Sequence, residues 1–546
     1  MNLRTAACSA LLLCLPFAAR ADRADRPRPG STRPATTQPA TKPSGPDTGP
    51  AEPLRGVVDR AVTTEGQVVG RDGPLTYRAT AAHMLVKDET DKLKATIFFV
   101  AYERTNGPGA AERTEGSGSE GATGSAAPER HSRPITFVFN GGPGAAAVWL
   151  HLGALGPRRI RLDEEGRPPA PPYALTDNEW TWLDFTDLVF IDPVGTGFSR
   201  PAEGEKREQF YGVEEDIYWV AEFIRLYITE YGRWLSPILL AGESYGTTRA
   251  AGLSERLLDR FGIALNGIVL ISSVLDFQTL RPGSGNDLPY VLYLPTYASI
   301  AWYHRRIEDP PAELPSLLRE VESWAMSVYG PALTQGAALP RKQRDAVIER
   351  LSRYTGLSPE YIDRADLRIA PDEFRKRLLE TRRALVGRFD GRITGDDPHP
   401  TADSPSYDPS LSGYLPVYTS TFNDYVRREL GFQSTLPYEV LSSRVMPWRF
   451  PDSGTGYLYV ADSLRDAMIK NPHLRVFFAS GYFDLATPYY ATDYTIEHMG
   501  LSQRLRRNIE RGFYYGGHMM YHHRQSLGKL HSDVAAFVRR AVRKDQ

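Results

Sequence analysis

The sequence predicts an α/β fold with a mainly parallel central sheet, interrupted by an inserted and mostly helical segment. Three observations lead there. Short, nearly continuous apolar runs end at polar or glycine residues: ITFVFN (135–140), LVFID (188–192), PILLAGES (237–244) and GIVLISS (267–273). Runs of this kind form strands buried on both faces of a parallel sheet. Helix-length segments lie between them, EEDIYWVAEFIRLYITEYG (214–232) and TTRAAGLSERLLDRFG (247–262). The alternation stops near residue 310 and resumes with LRVFFASGYFD (474–484). Folds of this class place their sites at the C-terminal ends of the strands.

Taken from the N-terminus, residues 1–21 read as a secretory signal. Arg4 supplies the positive region, ACSALLLCLPF (7–17) is too short to span a bilayer, and Ala19-Arg20-Ala21 offers cleavage after Ala21. An exported protein, periplasmic or secreted, is expected. Leu13 is too large for the residue before a lipidated Cys14. Both cysteines, Cys8 and Cys14, fall in this segment, so the mature chain is expected to have neither disulfide nor thiolate chemistry. Residues 22–53 are rich in Pro, Thr and Ala and read as a disordered leader.

Residues 54–309 are expected to hold N-terminal strands and the first part of the core. GQVVG, LTYRATAAHMLV and ATIFFVAYE are β-branched and aromatic. Residues 104–133 form a Gly/Ser/Glu-rich flexible loop. Residues 310–455 read as the inserted cap. Within it LPSLLREVESWAMSVYG, PRKQRDAVIERLSRYTG and PDEFRKRLLETRRALVGRF look helical, whereas YDPSLSGY looks loop-like. Residues 456–546 complete the core with LRVFFASGYFD, GFYYGGH (512–518) and a last amphipathic helix, SLGKLHSDVAAFVRRAV (526–542).

Composition is that of a globular protein, with 41% apolar and 24% charged residues in a chain of 546. A formal net charge of −1 gives no field to attract nucleic acid or an acidic membrane. No segment after the leader is long and apolar enough to span a membrane.

Gly242-Glu243-Ser244-Tyr245-Gly246 fits the G-x-S-x-G turn, in which a strand bends sharply into a helix with serine at the apex. PILLA before it and TTRAAGLSERLL after it supply that strand and helix. A serine needs a base and a group to orient the base. The order Ser, acid, His is that of α/β-hydrolases, and two downstream loops satisfy it. Asp484 follows a buried strand in FFASGYFDLATP, and His518 follows two glycines in YYGGHMMY. Acyl transfer also needs donors for an oxyanion. The loop FVFNGGPGAAAVWL (137–150) can aim one backbone amide, and the Tyr245 amide, directly after the serine, supplies the other. A phosphate cradle is excluded there, since no Lys-Ser/Thr follows. HMMYHH (518–523) lacks the glutamate of H-E-x-x-H, and its first histidine is already assigned; no metal or other cofactor is expected.

Asn-Gly-Gly-Pro-Gly (140–144), Asp-Pro-Val-Gly-Thr-Gly-Phe-Ser (192–199), Gly-Glu-Ser-Tyr-Gly (242–246), the Asp484 loop and the Gly-His-Met loop together resemble the serine carboxypeptidase family, in a bacterial-type secreted form. The likeness runs over about 134–310 and 456–546. It implies an α/β-hydrolase with a helical cap. It implies Ser244, Asp484 and His518 as triad, and Gly142 and Tyr245 as oxyanion donors. It also implies that Asn140 and Glu243 bind the terminal carboxylate of a peptide. A protonated Glu243 can donate to that carboxylate, whereas an ionised one repels it.

The chain departs from the family pattern in places. Val138 stands where tryptophan is common, Ala145-Ala146-Ala147 where Cys-Ser-Ser is common, and Ala154 where a second glutamate is frequent. Without that partner, Glu243 is expected to titrate nearer its ordinary range. The leading expectation is a serine-type carboxypeptidase acting on peptides. The alternative is an esterase or acyltransferase that uses the same triad on a small acyl substrate. Asn140 argues against an aminopeptidase of the proline-iminopeptidase kind, which usually has histidine there. A non-catalytic binding protein would have lost a member of the triad.

Overall fold

The computed structural model describes residues 58–71, 73–106, 133–451 and 456–543. The expected signal (1–21) and leader (22–53), and most of the expected loop at 104–133, lie outside the described residues. One sheet carries the fold. Its strands are β1 (Val58–Gly70), β2 (Gly73–Lys87), β3 (Leu93–Arg104), β4 (Ile135–Phe139), β5 (Asp187–Ile191), β6 (Ile238–Glu243), β7 (Gly267–Ile271), β8 (Arg475–Gly481) and β9 (Ile509–Tyr514). Their order is β1-β2-β3-β5-β4-β6-β7-β8-β9, and Arg200–Pro201 adds a short pairing to β3.

The first three strands form an antiparallel meander that joins β5 antiparallel. From β5 to β9 every pairing is parallel. The sheet alternation explains the continuous apolar runs. On β8, Val476 and Phe478 face one core, while Phe477 and Ala479 face the other. On β6, Ile238 and Leu240 face the first, and Leu239 and Ala241 the second. Each large side chain so buried stabilises the fold by about 1.5–3 kcal/mol relative to exposure.

The first face is covered by α1 (Val213–Glu230) and α2 (Tyr245–Phe261). Glu214, Glu215 and Asp216 occupy the first turn of α1, where negative charge complements the helix dipole. Gly262, at φ 66°, closes α2 in the left-handed conformation. Between β7 and β8 runs the long insertion. Along this connection lie α3 (Leu288–Tyr303), α4 (Leu314–Trp324), α5 (Arg341–Thr355), α6 (Pro371–Arg377) and α7 (Pro409–Arg428), followed by α8 (Ala461–Lys470), which packs on the first face of the sheet. A third cluster, from Val291 and Tyr297 to Leu351 and Phe374, gives the insertion its own apolar interior. α9 (Tyr489–His498) follows β8, and α10 (Arg524–Ala541) covers the second face with Leu527, Leu530, Val534 and Phe537. Among the described residues no helix is long and apolar enough to cross a membrane.

Two expectations in the insertion fail. The helix expected to run on from Pro371 stops at Arg377. Arg383 takes a left-handed conformation (φ 51°), and Ala384–Val386 pairs antiparallel with Thr394–Asp396. The backbone pairing and the burial of Leu385 and Val386 outweigh helical propensity. YDPSLSGY is not a loop but the start of the 20-residue helix α7. Asp408 caps it, accepting from the Ser410 amide at 3.0 Å, and Pro409 sits in the first turn, where no amide is needed. Ser, Gly413 and Pro416 hide the helix in the sequence, but its buried face (Leu411, Tyr414, Tyr418, Phe422, Tyr425) is regular.

Candidate active site

β6 ends at Glu243 and α2 begins at Tyr245, so Ser244 is the whole of the turn. Its φ of 60° and ψ of −130° are strained for a residue with a side chain. The turn is held by the Ser244 amide donating to Ile271 O (3.0 Å) and by Thr247, whose amide donates to Ser244 O (2.8 Å). A Cβ on Gly242 would collide with the Gly246 carbonyl, which is why the tight turn needs glycine there. Ser244 is half-buried.

The loop after β4 lies directly against this turn. A Cβ on Gly141 would collide with the Tyr245 nitrogen. Gly142 has φ 100°, open to glycine. The Tyr245 amide is the first of α2, with no preceding helical turn to accept from it. Gly142 and Tyr245 are thus in adjoining segments, brought together by the close approach of Gly141 to the start of α2.

Asp484 lies in the loop after β8 and His518 in the loop after β9, at neighbouring strand ends. His518 Nδ1 is 2.8 Å from Asp484 Oδ2. Asp484 is fully buried and its oxygens are accounted for. Oδ1 accepts from the amides of Ala486 (2.7 Å) and Thr487 (3.0 Å), and Oδ2 from Thr487 Oγ1 (2.7 Å). It does not cap α9, which begins five residues later. Burial disfavours charge on His518, but the Asp484 carboxylate, by its charge and its hydrogen bond, outweighs this and holds the imidazole pKa above its ordinary value. The histidine loop is clamped by the insertion: the His518 amide donates to Phe389 O, and the Phe389 ring lies 5.1 Å from the imidazole. A Cβ on Gly517 would strike the same Phe389 carbonyl.

Asn140 and Glu243 are brought together. Asn140 Nδ2 donates to Glu243 Oε1 at 3.0 Å, and both side chains are buried. Asn140 Oδ1 accepts from the Leu150 amide at 3.1 Å, which fixes the amide so that its NH2 faces the glutamate.

A model of the serine carboxypeptidase family matches residues 123–519. The chain belongs to the serine carboxypeptidase family. Its parallel sheet, strand order and inserted helices are those of an α/β-hydrolase. Among curated relatives, the pheromone-processing carboxypeptidase KEX1 of Metarhizium robertsii is 32% identical over 132 residues, which is 24% of this chain and 20% of that protein. The KEX1 carboxypeptidase of Coprinopsis cinerea is 29% identical over 146 residues, 26% of this chain and 22% of the relative. The matched stretch thus spans about a fifth of the length of these relatives. Among solved structures, KEX1(Δ)p, a prohormone-processing carboxypeptidase from Saccharomyces cerevisiae, aligns at 17% identity with a TM-score of 0.48, over 84% of this chain and 91% of its own.

One expectation about the family pair is corrected. Glu243 does not titrate near its ordinary range for want of a second glutamate. Burial pushes its carboxyl up to about 7, against the lowering effect of His518 and of hydrogen bonds from Tyr521 and Asn140. Ala154 is fully buried and offers the carboxyl no polar partner.

Three residues beyond the sequence-based set support the site. Thr487 binds Asp484 and lies 3.2 Å from His518 Nδ1. Its signal was the Asp-x-x-Thr spacing, in which a side-chain oxygen meets amides two and three residues on. Arg249 Nε donates to Asp216 Oδ2 (2.7 Å) and its Nη1 to Asn140 O (2.6 Å). A charged residue inside the small-residue face TTRAAG was its signal. Tyr521 Oη donates to Glu243 Oε2 at 2.6 Å. His522 bonds Tyr418 and His523 bonds Ser526, so the histidine run diverges, and no group of three metal-ligating side chains converges among the described residues.

Proposed function

We propose that this chain is a serine-type carboxypeptidase that releases C-terminal amino acids from peptides through an acyl-enzyme on Ser244. The observation that carries the reading is the buried Glu243 carboxyl, bonded to Asn140 and adjacent in sequence to Ser244. Protonated, that carboxyl and the Asn140 amide form a donor pair for the terminal carboxylate of a peptide. His518 Nε2 takes the Ser244 proton as Oγ attacks the last peptide carbonyl, and Asp484 holds the imidazole through Nδ1. The Gly142 and Tyr245 amides stabilise the oxyanion. His518 passes its proton to the leaving amine, and water then hydrolyses the ester. The apolar run at 7–17 and the Ala19-Arg20-Ala21 site support export.

The test is mass spectrometry of a peptide pool incubated with the protein at acidic and neutral pH. Ladders shortened from the C-terminus are expected, absent for Ser244→Ala and for C-terminally amidated peptides. Hydrolysis of p-nitrophenyl esters without any release of C-terminal residues would replace this reading with that of an esterase or acyltransferase.

A further inference from the structure

The Glu243 carboxyl is gripped at both oxygens, from two separate elements. Asn140, at the end of β4, donates to Oε1. Tyr521, in the turn Met520–His522 that follows the histidine loop, donates to Oε2 at 2.6 Å. Tyr521 is 1% exposed, and burial, followed by the charge of Glu243, keeps its hydroxyl protonated and therefore a donor. The ring has a seat made for it: a Cβ on Gly153 would collide with both the Tyr521 ring and the Tyr418 hydroxyl. The other titratable groups that act on Glu243 are His518, Asp484 and Tyr418, and among the described residues no Lys or Arg pairs with it.

We propose that Tyr521 is a positioning residue for Glu243: its hydroxyl anchors Oε2 and keeps the carboxyl from turning away from Asn140, in the orientation in which the pair meets a peptide's terminal carboxylate. This rests on the carboxypeptidase reading. A carboxylic acid has two oxygens and one proton. Both oxygens accept here, Oε1 from Asn140 and Oε2 from Tyr521, so the carboxyl is held at two points. Without Tyr521 only the Asn140 bond remains, and the carboxyl is free to turn about its terminal torsion, away from the side on which substrate is met. Tyr521 also stabilises the ionised carboxylate, because its donated bond is stronger to a charge. It therefore sets the pH at which terminal-carboxylate recognition is lost.

The test is Tyr521→Phe, which removes one oxygen and leaves the ring in its seat. Two substrates are followed from pH 5 to 9: a peptide with a free C-terminus, and p-nitrophenyl acetate. With the peptide, KM at pH 5.5 is expected to rise about fivefold, and the alkaline limb of kcat/KM to move up by about one pH unit, the size expected for losing a hydrogen bond to a charged group. The ester, which has no carboxylate, is expected to show no alkaline limb in either protein. An alkaline limb that stays in place in Tyr521→Phe, or a loss confined to kcat on both substrates, would overturn the proposal and leave Tyr521 a packing residue. Ester hydrolysis with no peptide trimming by the unaltered protein would instead remove the carboxypeptidase reading beneath it. A second readout does not depend on turnover. The infrared C=O band of a protonated carboxyl, identified by its absence in Glu243→Gln, should titrate at higher pH in Tyr521→Phe; an unshifted band overturns the proposal.

Discussion

Arg249 Nη1 donates to the backbone carbonyl of Asn140 at 2.6 Å, while its Nε is bound to Asp216. All three residues are buried. The guanidinium thus ties α1, α2 and the loop after β4 together beside the Asn140–Glu243 pair. Replacing Arg249 by Met leaves Asp216 as an unpaired buried charge, and is expected to lower stability by about 3–5 kcal/mol. Urea unfolding of Arg249→Met measures this. The double variant Arg249→Met/Asp216→Leu should recover most of that loss. It should still show a raised KM for peptides, because nothing then holds the Asn140 carbonyl.

Glu243 predicts a pH-dependent stability difference. Its folded pKa, about 7, stands above the ordinary 4.5, so the folded chain holds a proton that the unfolded chain releases. The stabilising contribution is complete below about 4.5, declines as pH rises, and is gone above about 7. Glu243→Gln does not ionise there. Its stability relative to the unaltered protein should therefore grow by about 3 kcal/mol between pH 4 and pH 8, read from unfolding midpoints at the two pH values.

Asp484→Asn keeps the shape of the site but removes the charge that supports His518. A fall in kcat of about 10³–10⁴-fold with little change in KM is expected. The sign of the accompanying pH shift follows from burial. With the carboxylate gone, desolvation loses its main opponent, so the ascending limb that reports His518 deprotonation should move to lower pH. Steady-state kinetics from pH 4 to 8 test both parts.

Asp408 sits in the insertion, yet its loss should reach the base. Its carboxylate accepts from the amides of Ser410 and Arg388, each at 3.0 Å, and the Ser410 hydroxyl accepts from the Phe389 amide at 3.1 Å. Phe389 O in turn receives the His518 amide. Asp408→Ala should cost about 1–2 kcal/mol as a lost helix cap. It should also lower kcat on p-nitrophenyl esters, a substrate with no reach into the carboxylate site.

The parts of this molecule legible in its sequence are those with a local signature. The strands of the parallel sheet are visible because burial on both faces makes them apolar throughout. Ser244 is visible because a strand, a tight glycine turn and a helix meet within a few residues. Asp484 and His518 are visible by their order and by the strands they follow. Helix α7 was hidden because Gly413 and Pro416 interrupt its pattern, although Asp408-Pro409 marks its start. Arg249 and Tyr521 act on partners 109 and 278 residues away, and nothing near them in the chain reveals those partners. The raised pKa of Glu243 is hidden for the same reason, since burial is a property of the assembled fold.

The clamp of Phe389 on the His518 loop bears on how this chain can change. Insertions in a hydrolase are often treated as exchangeable modules, with specificity in one part and chemistry in the other. Here the backbone of the insertion supplies a hydrogen-bond acceptor to the His518 loop, and Gly517 leaves no clearance between them. A grafted insertion would have to reproduce the Asp408–Phe389 hook as well as a new substrate wall. Variation in substrate choice should therefore accumulate in side chains of the insertion outside the hook, with the hook itself inherited intact.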